Sequence, residues 1–202
     1  MKNILKLISI IIFLSMQANI NAFESNNHRI AVLVNDQPIT TYEIIQRMKM
    51  NAILTGVDIT NENNNQFTNT VIDELIRETL KNEKLLGYNI SVSDDEYLMH
   101  ENIFFDKTTL NKNDVIKVFE ANKVRYNELE KYLIDEISWQ KLVSGMYYKL
   151  TSTTEVEIFE IMSKNPNISV EMAENIIIQR QLDLKSSKMI RDMFNEATIE
   201  YK

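Results

Sequence analysis

The chain has 202 residues, 44% of them apolar and 25% charged, and its 29 acidic against 22 basic side chains give a net charge of −7, not the basic excess usual in a nucleic-acid binder. It has no cysteine, three glycines (Gly56, Gly87, Gly145) and two prolines (Pro38, Pro166). Those counts exclude a disulfide framework, a thiol nucleophile and cysteine-based metal sites, and the wide spacing of the glycines excludes phosphate and dinucleotide loops.

Lys2 and Lys6 accompany an almost unbroken apolar run from Leu7 to Met16. That run is too short to span a bilayer, which takes roughly 20 residues, and reads as a secretory signal. Cleavage is expected after Ala22, and an uncleaved segment would stay as an anchor. Removal of residues 1–22 leaves 180 residues and takes two lysines with it, so 20 basic face 29 acidic side chains and the net charge becomes −9. A chain of that size can build one sizeable core without disulfides.

Ile30 to Val34 is a short apolar, β-branched run that ends at the turn residues Asn35-Asp36-Gln37-Pro38, which predicts a strand followed by a turn. Thr40 or Thr41 then caps a helix carrying Tyr42, Ile45, Met48, Ala52 and Ile53, stopped at Gly56. After an Asn-rich loop over 57–66, a long helix is expected from Phe67 to Leu86. Ser93-Asp94-Asp95-Glu96 has the form of a capping box, in which serine and glutamate reciprocally satisfy exposed amides, and opens a helix to Phe105. Asn111 or Asn113 starts a short helix, and Tyr126 or Asn127 a long one through Met146. The cap-rich stretch Thr151 to Thr154 and the break Asn165-Pro166-Asn167 flank the segment Glu155 to Ser163. Ser169 caps a last long helix with Met172, Ile176, Leu182, Met189, Ile190, Met193 and Phe194. Ala197, Ile199 and Tyr201 alternate with polar residues as in a half-exposed strand. A lone strand cannot satisfy its own amides, so residues 197–201 are expected to pair with 30–34 in a two-stranded sheet that closes a mainly helical body.

Catalytic chemistry finds little material. His28 lies in an unpatterned lead. His100-Glu101 resembles the start of a zinc-protease HExxH helix, but Phe104 stands where the second histidine must be. No metal site, cofactor site or catalytic residue is expected. Lys185, Lys188 and Arg191 recur every three residues, as on a solvated helix face near a C-terminus. What is unusual is pliable apolar side chains, eight methionines after position 22 and adjacent aromatic pairs such as Tyr147-Tyr148. Neighbours on a helix point about 100° apart, so such pairs cannot share one narrow core stripe.

Residues 30–48, IAVLVNDQPITTYEIIQRM, resemble the opening of SurA-type periplasmic chaperones, a strand ending in V-N-x-x-x-I-T before a helix. Residues 71–92, VIDELIRETLKNEKLLGYNISV, followed by Ser93 to Glu96, are similar to that family's second conserved segment, with Lys84 or Leu85 in place of its small residue. Tyr126 to Val143 and Asp183 to Tyr201 resemble its later helix and its closing helix and strand. The family's parvulin isomerase domains have no counterpart, because only Thr151 to Ser169 lies where they would be inserted.

The resemblance implies one chaperone domain over 23–202, an N-terminal module at 30–150 and a linker with closing helix and strand at 151–202, without isomerase activity. It implies a periplasmic, ATP-independent holdase for unfolded polypeptides, outer-membrane protein precursors above all, with no membrane span after signal cleavage. Met48, Met50, Tyr97, Met99, Phe104, Tyr147 and Tyr148 are the candidate client-binding side chains. The alternative is a non-enzymatic scaffold subunit of an envelope assembly complex, its apolar groove filled by one fixed partner.

Overall fold

The computed structural model describes residues 28–57, 64–108 and 110–202. The expected signal at 1–22 and most of the Asn-rich loop lie outside the described residues. Strand β1 (Ile30–Val34) and strand β2 (Gln37–Thr40) lead into helix α1 (Thr41–Thr55), α2 (Asn64–Leu85), α3 (Asp94–Lys107), α4 (Lys112–Ala121) and α5 (Tyr126–Tyr147). A 3-10 turn (Tyr148–Leu150) precedes α6 (Glu155–Lys164), the 27-residue α7 (Val170–Glu196) and strand β3 (Ile199–Tyr201). The fold is mainly helical, closed by a long C-terminal helix and a small antiparallel sheet.

The chain ends pair as the alternation requires: Val32 faces Tyr201, Leu33 faces Glu200 and Val34 faces Ile199. The sheet has three strands and not two, in the order β2-β1-β3. Gln37 to Thr40, whose first residues read as turn, folds back on β1 because Asn35-Asp36 completes the reversal, with Asn35 in the left-handed region at φ 52°. Asn35 also ties the turn to its surroundings. Its backbone N–H donates to Thr198 O (2.8 Å), its Oδ1 accepts from the Thr198 N–H (3.0 Å), and its Nδ2 donates to Glu83 on α2 (2.8 Å).

Helix starts follow local cap chemistry. Thr40 with Glu43, Ser93 with Glu96 and Thr154 with Glu157 form complete capping boxes, and Ser169 accepts from the Met172 N–H. Gly56 ends α1 in the left-handed conformation, φ 70°. Helix α2 begins at Asn64, one turn before the apolar residue that marks it in sequence.

Four apolar cores follow one another. The first lies under the sheet, where Val32, Val34 and Ile39 meet Met48, Val71 and Ile76. The second joins α1, α4 and α5 through Met50, Val115, Phe119, Leu129 and Leu133. The third joins α5 and α7 through Trp139, Leu142, Val143 and Leu182. The fourth belongs to α6 and the start of α7, built from Ile161, Ala173 and Ile177.

One buried carboxylate locks the second core. Glu101 accepts from Tyr97 Oη (2.6 Å), Tyr126 Oη (2.7 Å) and Lys112 Nζ (2.6 Å), which joins α3 to the first residues of α4 and α5. Burial raises its pKa, but the bonds from Lys112, Tyr97 and Tyr126 outweigh burial and hold it below the ordinary glutamate value. Burial, then the hydrogen bonds to Glu101, push both tyrosine hydroxyls up, so they remain donors at any ordinary pH. Because folding lowers the pKa of Glu101, its stabilising effect is complete above the ordinary value of 4.5 and fades as pH falls through the folded value. Glu101→Gln therefore costs about 2–3 kcal/mol at neutral pH by urea unfolding, since three donors lose a charged acceptor, and the cost shrinks in acid.

Candidate functional site

The structure does not bring the seven nominated side chains together. Met48 and Met50 are core residues, buried in the first and second cores, so neither presents surface to a client. Two positions apart, they point about 200° apart, and both are buried because α1 lies between two cores. Tyr97 and Phe104 pack against the second core, Tyr97 donating to Glu101 and Phe104 edge-on to Phe105 at 5.3 Å. Tyr147 packs on the third core with its hydroxyl 3.9 Å from Met189 Sδ. Met99 is 61% exposed on α3 and Tyr148 56% exposed in the 3-10 turn, on separate elements.

Helix α7 carries the surface that these positions miss. Its stripe of Met172, Ile176, Leu182, Ser186, Met189 and Met193 follows one broad face of the helix. From Ile178 onward α7 packs on the body: Leu182 is buried in the third core, Trp139 Nε1 donates to Ser186 Oγ at 2.8 Å, and Met189 and Met193 pack on α5 and α2 elements. Toward its start the same helix runs on without the body. Eight residues, 170–177, make an overhang of about 12 Å at 1.5 Å per residue. There the body-facing positions are bare, Met172 at 54% and Ile176 at 39% exposure.

What supports the overhang is α6. The turn at 165–169 folds α6 back along α7, and Ser152 closes the open end by accepting from Gln181 Nε2 at 2.6 Å and donating its N–H to Gln181 Oε1 at 3.2 Å. Ile158, Ile161 and Met162 face Ala173 and Ile177. The hairpin is thus an arm with its own small core, and Met172 and Ile176 lie on a side of α7 that this core does not use.

Where the stripe leaves the body, a cleft of about 280 Å³ opens between α5 and α7. Trp139, Val143 and Leu182 give it an apolar wall, and Gln179, Asp183 and Ser186 its rim on α7. Lys141, at the α5 rim, is held by Ser91 O (2.7 Å) and Glu96 (2.6 Å). That bond first, then the capping contacts with Ser93, pulls the Glu96 pKa down to about 2. The cleft therefore meets Ile176 and Met172 one and two turns further along α7, a continuous strip from a small pocket to the arm.

A larger cleft, about 500 Å³ among β2, α1, α2 and α5, is crossed by a bidentate ion pair from Arg47 to Glu78, with the second bond at 2.7 Å. Its charges are matched within the chain, and Arg125 pairs with Glu128 at its edge. Among the described residues, no group of three or more histidine or acidic side chains is placed to hold a metal ion, and no helix is long and apolar enough to cross a membrane.

A family model described as SurA-like N-terminal domain matches residues 1–143. A search of curated proteins gives no match.

Trp139, the single tryptophan, reports on this junction. Ser186→Ala leaves its buried indole N–H without an acceptor. The expected result is a loss of about 1–3 kcal/mol in urea unfolding and a shift in the emission of the folded state, with little change on Ser187→Ala at the exposed neighbouring position.

Proposed function

The chain belongs to the SurA-like N-terminal domain family, a chaperone-type and non-catalytic domain, and we propose that it works as an ATP-independent holdase for unfolded polypeptides. The observation that carries this reading is the exposed continuation of the α7 stripe, Met172 and Ile176, beyond the body and in line with the α5–α7 cleft. Side chains of that kind bind apolar segments without reading a sequence, because methionine adapts its shape and burial is non-directional. Each apolar side chain buried is worth about 1.5–3 kcal/mol at most, so a client touching two or three gains about 3–9 kcal/mol before the cost of ordering, which holds it no tighter than about micromolar and lets it leave. That is what a holdase needs.

The family and the signal-like start of the sequence support action in the periplasm, with outer-membrane protein precursors as clients. Binding by shape-tolerant contacts requires no nucleotide, metal or covalent step. The short stretch from Thr151 to Ser169, where the family's isomerase domains would be inserted, supports a protein without prolyl isomerase activity.

Two experiments test this. In a light-scattering assay with an unfolded outer-membrane barrel protein, the purified chain at modest molar excess is expected to suppress aggregation. Met172→Ser with Ile176→Ser should weaken suppression several-fold while lowering the melting temperature only modestly, because Met172 is 54% exposed and Ile176, at 39%, belongs to none of the four cores. Equal suppression by the double variant would overturn the site, and no suppression by the parent chain would overturn the activity. With a proline tetrapeptide, the rate of cis–trans exchange should be the same with and without the protein.

A further inference from the structure

A helix stacked on half the length of another leaves a step. α6 covers the face of α7 that bears Ala173 and Ile177, and the same face continues uncovered through Leu184, Lys188 and Arg191, spaced by seven, four and three residues. The rise from this ledge to the axis of α6 is one helix-packing distance, about 8–10 Å. On top of the step, Val156 and Phe159 point away from α7, flanked by Glu155 and Glu160. On the ledge Leu184 is 66% exposed among Arg180, Lys188 and Arg191, and Phe159 above is 73% exposed.

Charge follows the same division. Residues 155–178 hold five glutamates and one lysine, whereas residues 180–191 hold four cations and one aspartate. The step is acidic and the ledge basic, each around an exposed apolar centre, and the two lie side by side with the same outward direction.

We propose that two copies of this chain interlock through this surface in a two-fold dimer, α6 of each resting on the α7 ledge of the other. A two-fold contact requires one patch that is complementary to itself after a 180° rotation, and an acidic step beside a basic ledge of matching height meets that condition twice. Phe159 and Val156 of one copy then cover Leu184 of the other, while Glu155 and Glu160 face Arg180, Lys188 and Arg191. The charges available for this are lightly committed: Glu160 bonds Lys164 and feels Arg180 of its own chain more weakly, and Lys188 bonds Asp192 one turn along its own helix, exposed interactions that exchange partners at little cost. Repulsion from the net charge of −7 acts at longer range and is screened beyond about 8 Å at physiological salt, so contact pairs decide the outcome. The client strip at Met172 and Ile176 lies on another side of the arm and is independent of this interface.

Sedimentation of the purified protein at tens of micromolar tests the idea. A dimer is expected at low salt, dissociating in molar salt. Phe159→Ser and Lys188→Glu should each weaken dimerisation at least about tenfold, with circular dichroism unchanged because both positions are exposed. Glu160→Lys combined with Lys188→Glu should restore it, whereas Met172→Ser with Ile176→Ser should leave it intact. A monomer at low salt overturns the proposal. A dimer indifferent to Phe159→Ser, or a charge exchange that fails to restore association, overturns it as well.

Discussion

One straight helix serves two cores that do not lie on the same side of it. α7 is about 40 Å long at 1.5 Å per residue, and the body can cover only its later part. Over that part it buries the side with Leu182, Met189 and Met193; over its first part it buries the side with Ala173 and Ile177. A rigid rod cannot rotate between the two, so each core leaves the other half of its own side uncovered. The bare Met172 and Ile176 strip and the bare Leu184 and Lys188 ledge are both products of this one constraint.

The constraint has force only because α7 is anchored where it ends. Strand β3 is three residues long, too short to hold by ladder bonds alone. It holds because β1 between its neighbours is fully buried at Val32 and Val34, and because Asn35 spends its main chain and both side-chain atoms on Thr198 and Glu83. Removing freedom at this end fixes the register of α7 against α5, and so fixes how many residues overhang. The outer edge of β2 is poor in donors for further strand addition: Pro38 has no N–H, and the N–H of Thr40 is taken by Glu43 at 2.7 Å.

Features set by neighbours in sequence were legible from the sequence. The capping box at Ser93, a threonine cap at Thr40 or Thr41, the strand at Ile30 to Val34 and the pairing of the chain ends depend on side chains within a few residues or on strict alternation, and each is present, the cap falling on Thr40. Features set by what lies on the far side of an element were not. Gln37 to Thr40 is too short to show a period, and only its partner makes it a strand. Met48 and Met50 point in opposite directions, which suggests that one is exposed unless a second core exists beyond α1. His100-Glu101 carried a partial metal-protease pattern, yet the glutamate is an acceptor for two tyrosines and a lysine that approach from three helices. Met172 and Ile176 could be read as part of the α7 stripe, but periodicity is the same whether a stripe is covered or bare. Where cover stops depends on the length of the body, which no local pattern records.

The two uncovered faces of the arm obey different physics, which separates their roles. Met172 and Ile176 bury apolar area, and contact of that kind strengthens with salts that are excluded from protein surfaces and carries little directional demand. The step and ledge place opposite charges around small apolar centres, and their attraction falls as the Debye length shrinks. Raising ionic strength therefore favours the first face over the second. A bound segment and a second copy need not compete, since one enters from the body side of α7 and the other from the α6 side. The arm can present both faces because α6 makes it rigid: Ile161, Ala173 and Ile177 form a core with little surface to spare, and the Ser152–Gln181 bonds close the hairpin at its base. Without that small core the overhang would be a fraying helix end, and neither face would have a fixed shape to offer.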